Sequence, residues 1–235
     1  MNNSKEWIES FNLHYNNSDK SAPELNSYEI SLFLTQAQDE IVKEFYSGKN
    51  IYHEAVDSTE HIRTALEYLV RTETLSPLEL SKYRGYNQAR FKTADNIWYP
   101  INEQVIIPNW PLTILVIPTT WDELNVNLIN PFKKPNERKV FKLTKNDGIY
   151  IISSKEPTSY EVTYLIEPEP IILEDLSTGL YEGMGLSIKG ETKETLCKLG
   201  SNIHLNILNR AVELALRDYN PSNLEAHVQL NQRNF

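Results

Sequence analysis

Apolar residues recur at helical spacing towards both ends of the chain and at a period near two in its middle. From residue 4 to 17, Trp7, Ile8, Phe11 and Tyr15 fall on one side, which predicts a short helix ended by Asn16-Asn17-Ser18-Asp19. A clearer helix follows, with Ser27 as its expected N-cap and Gly48 closing it. Ile30, Phe33, Leu34, Ala37, Ile41, Val42 and Phe45 form its apolar face. A third helix is expected from Asp57-Ser58-Thr59-Glu60, where Asp57 and Glu60 have capping-box spacing. It carries Ile62, Ala65, Leu66, Leu69 and Val70 until Ser76-Pro77 stops it. Each helix has one narrow apolar stripe, which must be buried against a neighbour.

From Tyr83 the pattern turns to strands. Short ones are expected at Arg90–Lys92, Ile97–Pro100 and Gln104–Ile107, limited by Pro100, Pro108, Pro111 and Pro118. The apolar run Leu112–Ile117 predicts a strand buried on both faces. Trp121–Ile129 is expected to be a helix set between strands, capped by Thr119 or Thr120. Strands follow at Lys139–Thr144, Ile149–Ser153 and Tyr160–Glu167, the first two joined by a tight Asn146-Asp147-Gly148 turn. In the last of them, Tyr160, Val162, Tyr164 and Ile166 alternate with Glu161, Thr163 and Leu165, so one face is packed and the other mostly wet. Residues 174–200 are rich in glycine and predict a long loop or an arm with weak strands. The final helix is expected from about Ile203 to Tyr219, with Leu205, Leu208, Val212, Ala215 and Tyr219 on one face.

These elements predict an α+β fold: a helical bundle of N-terminal helices and the C-terminal helix, carrying an inserted antiparallel β-sandwich-like domain. The expected divisions are a helical part at 1–82, a β-rich insertion at 83–175, a loop or arm at 176–200, a C-terminal helix at 201–220 and a polar tail at 221–235.

Charge adds a candidate surface. The net charge of −9 argues against general nucleic-acid binding. Against it, Lys133, Lys134, Arg138, Lys139, Lys142 and Lys145 cluster around a single acid, Glu137, and an acidic counterpart follows at Glu167, Glu169, Glu174 and Asp175. Two solvated faces would account for both blocks, but so would complementary patches on identical subunits. The candidate intersubunit contacts are therefore Lys133, Lys134, Arg138, Lys139, Glu167, Glu169, Glu174 and Asp175. The single cysteine, Cys197, gives no internal disulfide framework, no run reaches the roughly 20 apolar residues of a membrane span, and the N-terminus has no signal-peptide layout. A soluble protein made in a reducing cytoplasm is expected.

Little in the chain is arranged for catalysis. His14, His53, His61, His204 and His227 have no metal-site spacing, and Cys197 belongs to no CxxC. Cys197 with His204 would make a poorly supported thiol pair, and Gly183-Met184-Gly185 lacks the spacing of a dinucleotide loop. Two other classes stay open. Trp98, Tyr99, Trp110 and Trp121 could form the sugar-stacking surface of a monomeric carbohydrate-binding β-sandwich on a helical stalk. Any two of the many carboxylates could serve a glycoside hydrolase.

Three segments point to a family: Trp121–Leu124 with Asn130-Pro-Phe-Lys-Lys-Pro-Asn-Glu-Arg-Lys-Val140, Tyr160-Glu-Val-Thr-Tyr-Leu-Ile-Glu-Pro-Glu-Pro-Ile171, and Ile203-His-Leu-Asn-Ile-Leu-Asn-Arg-Ala-Val-Glu-Leu-Ala215. With the helix around Tyr28–Phe45, they make the chain from about residue 25 to 220 resemble the head–tail connector, or neck ring, proteins of tailed bacteriophages, most closely those of crAss-like phages. The resemblance implies a virion structural protein without catalytic residues, metal or cofactor. It implies a ring, typically of twelve copies, beneath the portal protein and against adjacent neck or tail ring proteins, at the head–tail interface. DNA would pass through the channel without sequence-specific contact, and no membrane would be involved.

Overall fold

The computed structural model describes residues 1, 3–18, 23–48, 60–92, 97–110 and 114–219. The Asp57 cap, the first residues of the Leu112 run and the tail from 221 lie outside them. The chain forms two compact units, one of Met1–Leu69 with Pro168–Phe235 and the other of Val70–Glu167. As the sequence pattern implies, helices from both ends of the chain frame a β-rich insertion, and the class is α+β.

The first unit holds α1 (Ser4–Ser18), α2 (Ser27–Ser47), α3 (Glu60–Leu66, continued by a 3-10 turn to Leu69) and α5 (His204–Tyr219). Trp7, Phe11 and Tyr15 of α1 are buried, as their spacing requires. The cap of α2 is Asn26, not Ser27. The Asn26 side chain accepts from the Glu29 N–H at 2.9 Å, and the Glu29 carboxylate accepts from the Asn26 N–H at 2.9 Å. This reciprocal box satisfies two otherwise orphaned donors, and Gly48 closes the far end at a φ of +67°. The apolar face of α5 is wider than a single stripe, because the helix packs against both α1 and α2. Ile207, Ala211, Leu214 and Leu216 are buried beside Leu208, Val212 and Ala215, whereas Leu205 and Tyr219 are exposed.

Between Pro168 and Leu199 the chain has little regular structure, yet Ile171, Ile172, Leu173, Leu176, Tyr181, Ile188 and Leu199 are buried. A polar stripe on α2 provides the missing ladder. Ser31, Thr35 and Gln38, at helical spacing, are all buried. The Leu173 N–H donates to Ser31 Oγ at 3.0 Å, the Ile171 N–H to Thr35 Oγ1 at 3.0 Å, and Gln38 Nε2 to the Glu169 carbonyl at 2.8 Å. The helix side chains thus take the place of a neighbouring strand for backbone groups that water cannot reach. Thr35→Val keeps the shape but strands the Ile171 N–H. It is expected to cost about 2 kcal/mol, measured by urea unfolding with Trp7 fluorescence as the reporter for this unit; a loss below a few tenths would show that the ladder is dispensable.

The second unit is a sandwich with a helix on one outer face. One sheet has the strand order β1 (Val70–Leu75), β8 (Ser159–Leu165), β4 (Tyr99–Ile106), all antiparallel. The other has the order β2 (Glu79–Tyr83), β3 (Tyr86–Phe91), β7 (Gly148–Ser153), β6 (Lys139–Lys145), β5 (Leu115–Pro118), with β5 parallel to β6. Phe91, Val105, Val140, Ile151, Tyr160 and Val162 fill the core between the sheets. On the other side of the second sheet, α4 (Trp121–Ile129) lays Leu124 and Leu128 on Phe141, Leu143, Tyr150 and Ile152. This explains why β7 is buried along its whole length.

Several expected elements differ. The third helix ends by Leu69, and Val70–Leu75 is a strand paired with β8, because Val70 continues the apolar spacing by coincidence while Arg71-Thr-Glu-Thr favours a half-exposed strand. The two strands expected at Ile97–Pro100 and Gln104–Ile107 are replaced by the single strand Tyr99–Ile106, whose register with β8 shifts between Pro100 and Asn102. The Leu115–Ile117 run is an edge strand, not a doubly buried one, since α4 and the opposite sheet cover only its inner residues; Leu115 is exposed. In β8, Leu165 is buried although the alternation puts it on the wet face.

Candidate assembly surface

The helix α4 is amphipathic in an unusual way, being apolar on both sides. Thr120 caps it in a box with Glu123, and the side carrying Leu124 and Leu128 is spent on the sheet below. On its outer side Val126 is 64% exposed and Ile129 is 76% exposed. These two are three residues apart and so adjacent on the helix surface. The chain then turns, and Phe132 stands 91% exposed. The turn is well tied. The Phe132 N–H donates to Asn130 Oδ1 at 2.9 Å, and the N–H groups of Lys133 and Lys134 donate to the Asn130 carbonyl at 3.1 Å. Lys139 Nζ reaches the Phe132 carbonyl at 3.2 Å, and the Leu115 N–H bonds the Arg138 carbonyl at 2.8 Å, which brings exposed Leu115 to the same rim. The result is an ordered apolar knob collared by cations, because Lys133, Lys134 and Arg138 are exposed and Lys139 is half-buried.

Two lysines of the basic block do not contribute to this collar. Lys142 lies on the inner side of β6 and ion-pairs with Glu103, with both side chains largely buried. Lys145 lies over the rings of Tyr150 and Trp121, 3.8 and 4.5 Å from their centroids. The alternation along β6 hides them from a reading that counts charges alone. The expected acidic counterpart is divided. Glu167 ends the second unit, whereas Glu169, Glu174 and Asp175 belong to the first. Glu169 pairs with Lys198 at 2.5 Å, and Asp175 accepts the Ser177 N–H and hydroxyl, bonds that hold its carboxyl below the usual range. Glu174 is half-buried.

The apolar part of the knob is what charge counting misses. Val126 and Ile129 on the side opposite Leu124 and Leu128 were the available signal, since a helix that rests on a sheet through one face has no intramolecular use for a second.

Among the described residues, the aromatic and thiol candidates engage separate partners. Trp110 packs against the inter-sheet core, Trp121 meets Tyr83 at 5.6 Å on the α4 side, and Trp98 lies against Tyr99 at 4.7 Å, so the four aromatics divide among separate contacts. The Cys197 thiol contacts Gln38 Oε1 at 3.3 Å, and burial pushes its pKa up to about 11. His204 instead turns Nε2 to the Leu199 carbonyl at 3.0 Å, and burial lowers its pKa. A high-pKa thiol without a base beside it is a poor nucleophile. Among the described residues, no group of three or more His, Cys, Asp or Glu is placed to hold a metal ion, and no helix is long and apolar enough to cross a membrane.

Among the described residues the chain thus carries an ordered, exposed apolar knob with a basic collar. The phage tail ring protein 3/4 family matches residues 1–225, and so includes both units. The chain is 35% identical over 201 residues to "Ring protein 3" of Bacteroides phage crAss001, covering 82% of this chain and 85% of the relative. It is 31% identical over 242 residues to "Ring protein 4/5" of the same phage, covering 98% and 99%. The chain belongs to the phage tail ring protein 3/4 family, a family of structural phage tail proteins.

Proposed function

We propose that copies of this chain close into a ring in the neck of a tailed phage, between the portal vertex and the tail, around a channel for DNA. Twelve copies would match the symmetry such rings typically have. Family membership extending over both units carries the reading: a ring-protein sequence pattern spans the helical unit and the β insertion alike. Heterologous contact between identical subunits closes a ring when the rotation per copy divides a full turn, and it needs two unlike complementary patches. The basic collar at Lys133, Lys134, Arg138 and Lys139 is one, and an acidic surface of the next copy is the other; Glu167, Glu169, Glu174 and Asp175 are divided between the two units, and Glu169 is already paired with Lys198. An acidic subunit also suits a DNA channel, because like charge keeps the duplex off the wall. Cryo-electron microscopy of purified particles tests the reading. Density for a closed ring of this chain between portal and tail is the expected result. Absence of the chain from the particles would refute a virion role, and its placement elsewhere in the particle would refute the neck.

A further inference from the structure

The geometry points to a second copy of this chain as the occupant of the α4 knob, with Phe132 and Ile129 seated in the groove that α2 and the end of α5 form on the next copy. This inference rests on the ring reading and specifies its contact. A large exposed apolar cluster on an otherwise acidic chain needs a cover, and the collar restricts what that cover can be. The turn from Lys133 to Lys139 carries four cations against one acid, Glu137, a local charge of +3 (4 − 1) within a chain of net −9. Two knobs meeting face to face would set like charges against each other, so a symmetric dimer through this surface is disfavoured. An unlike, acidic surface of an identical subunit has the right sign, and that contact is heterologous, as a ring requires.

The groove on the first unit has the matching character. It measures roughly 650 Å³, which is ample for two apolar side chains. Leu32, Phe33 and Tyr219 supply apolar lining, and Phe33 and Tyr219 meet edge to face at 6.1 Å. Leu32 and Tyr219 are exposed, so the groove is open to a visitor. Carboxylates predominate around it: Glu29, Asp39, Glu40 and Asp218 against Lys43 and Lys189, a balance of −2 (2 − 4). Asp39 and Glu40 already engage Lys189 and Arg210. Asp218 is half exposed and pairs with its chain neighbour Arg217 at 3.2 Å, and Glu29 holds the α2 cap and accepts from the Tyr219 hydroxyl at 3.2 Å. Both flank Tyr219 in the lining, beside the seat proposed for Phe132, and are the acids that Lys133 and Lys134 would meet there.

Equal parts of ¹⁴N- and ¹⁵N-labelled full-length protein, mixed and coupled with a zero-length carbodiimide, test this contact. Mixed-isotope links from Lys133 or Lys134 to Glu29 or Asp218 are expected. In parallel, Phe132→Ala and Tyr219→Ala should each weaken self-association about tenfold in sedimentation velocity, and the double variant should lose little more than either single one. Mixed-isotope links only at other carboxylates, or additive losses in the double variant, would overturn the contact and leave the ring reading standing. The absence of mixed-isotope links anywhere would overturn both.

Discussion

Lys142→Met is expected to destabilise the Val70–Glu167 unit by about 3 kcal/mol. Lys142 on β6 reaches across the sandwich to Glu103 on β4, and the Tyr160 hydroxyl on β8 donates to the same Glu103 oxygen at 2.6 Å. One carboxylate therefore joins the two sheets, inside an otherwise apolar filling. Burial pushes the Tyr160 phenol far above its ordinary pKa, and the bond to Glu103 adds to that, so the hydroxyl stays a donor. The side chains of Lys142 and Glu103 are 12% and 15% exposed. Removing the ammonium leaves a carboxylate with its desolvation cost and a single neutral donor for compensation. Methionine fills the same space, so the loss isolates charge from volume. Pairing it with Glu103→Gln removes the uncompensated charge, and the double variant should recover at least half of the loss. Urea unfolding followed through Trp98, Trp110 and Trp121, all in this unit, measures both. A Lys142→Met loss under 1 kcal/mol, or a double variant worse than the single one, would show that the pair is a surface ion pair in effect.

This network also marks where reading the sequence reached its limit. The amphipathic helices were legible because their partners are nearby in the bundle, and the apolar spacing of Trp7, Phe11 and Tyr15 or of Ile30 to Phe45 survives folding unchanged. The Lys139–Ser153 hairpin was legible for the same reason, as its signals are local. What depends on distant contacts was not. Ser31, Thr35 and Gln38 look like solvated polarity until the 169–173 backbone is laid against them. Lys142 looks like part of a basic patch until the pleat turns it inward. The strand Glu79–Tyr83 has almost no buried residue, so it offers no alternation to find. Its hairpin with β3 uses Arg84 and Gly85 at φ of +49° and +87°, where the turn's usual Asn-Gly would have announced it. The exposed knob and its collar were half legible. The cations stood out in sequence, whereas exposed Val126, Ile129 and Phe132 could be separated from core residues only once Leu124 and Leu128 had claimed the sheet.

Gly148→Ala should be comparably damaging, at about 3 kcal/mol, for a reason unconnected with charge. Asn146 and Asp147 join β6 to β7, with Lys145 paired to Gly148. The positive dihedral that this turn needs falls on Gly148 itself, at a φ of +144°, a region closed to other residues by their Cβ. Strain of that kind alone costs roughly 1–3 kcal/mol. Here a second effect is added, because β7 begins where β3 ends and the two backbones nearly touch. A Cβ at Gly148 would lie 2.4 Å from the Phe91 carbonyl oxygen, a backbone atom that cannot rotate away. Relief requires β3 and β7 to separate at Phe91 and Ile149, two residues of the inter-sheet core. Gly85 separates the two contributions. It also has positive φ, at +87°, yet a Cβ there would meet nothing within 4 Å. Gly85→Ala therefore reports strain without collision and should cost about 1 kcal/mol. The gap between the two variants in the same tryptophan-monitored unfolding is then the cost of the close approach. Equal losses would mean that the sheet yields freely at this edge, and the tight β3–β7 contact would have no part in holding the insertion together.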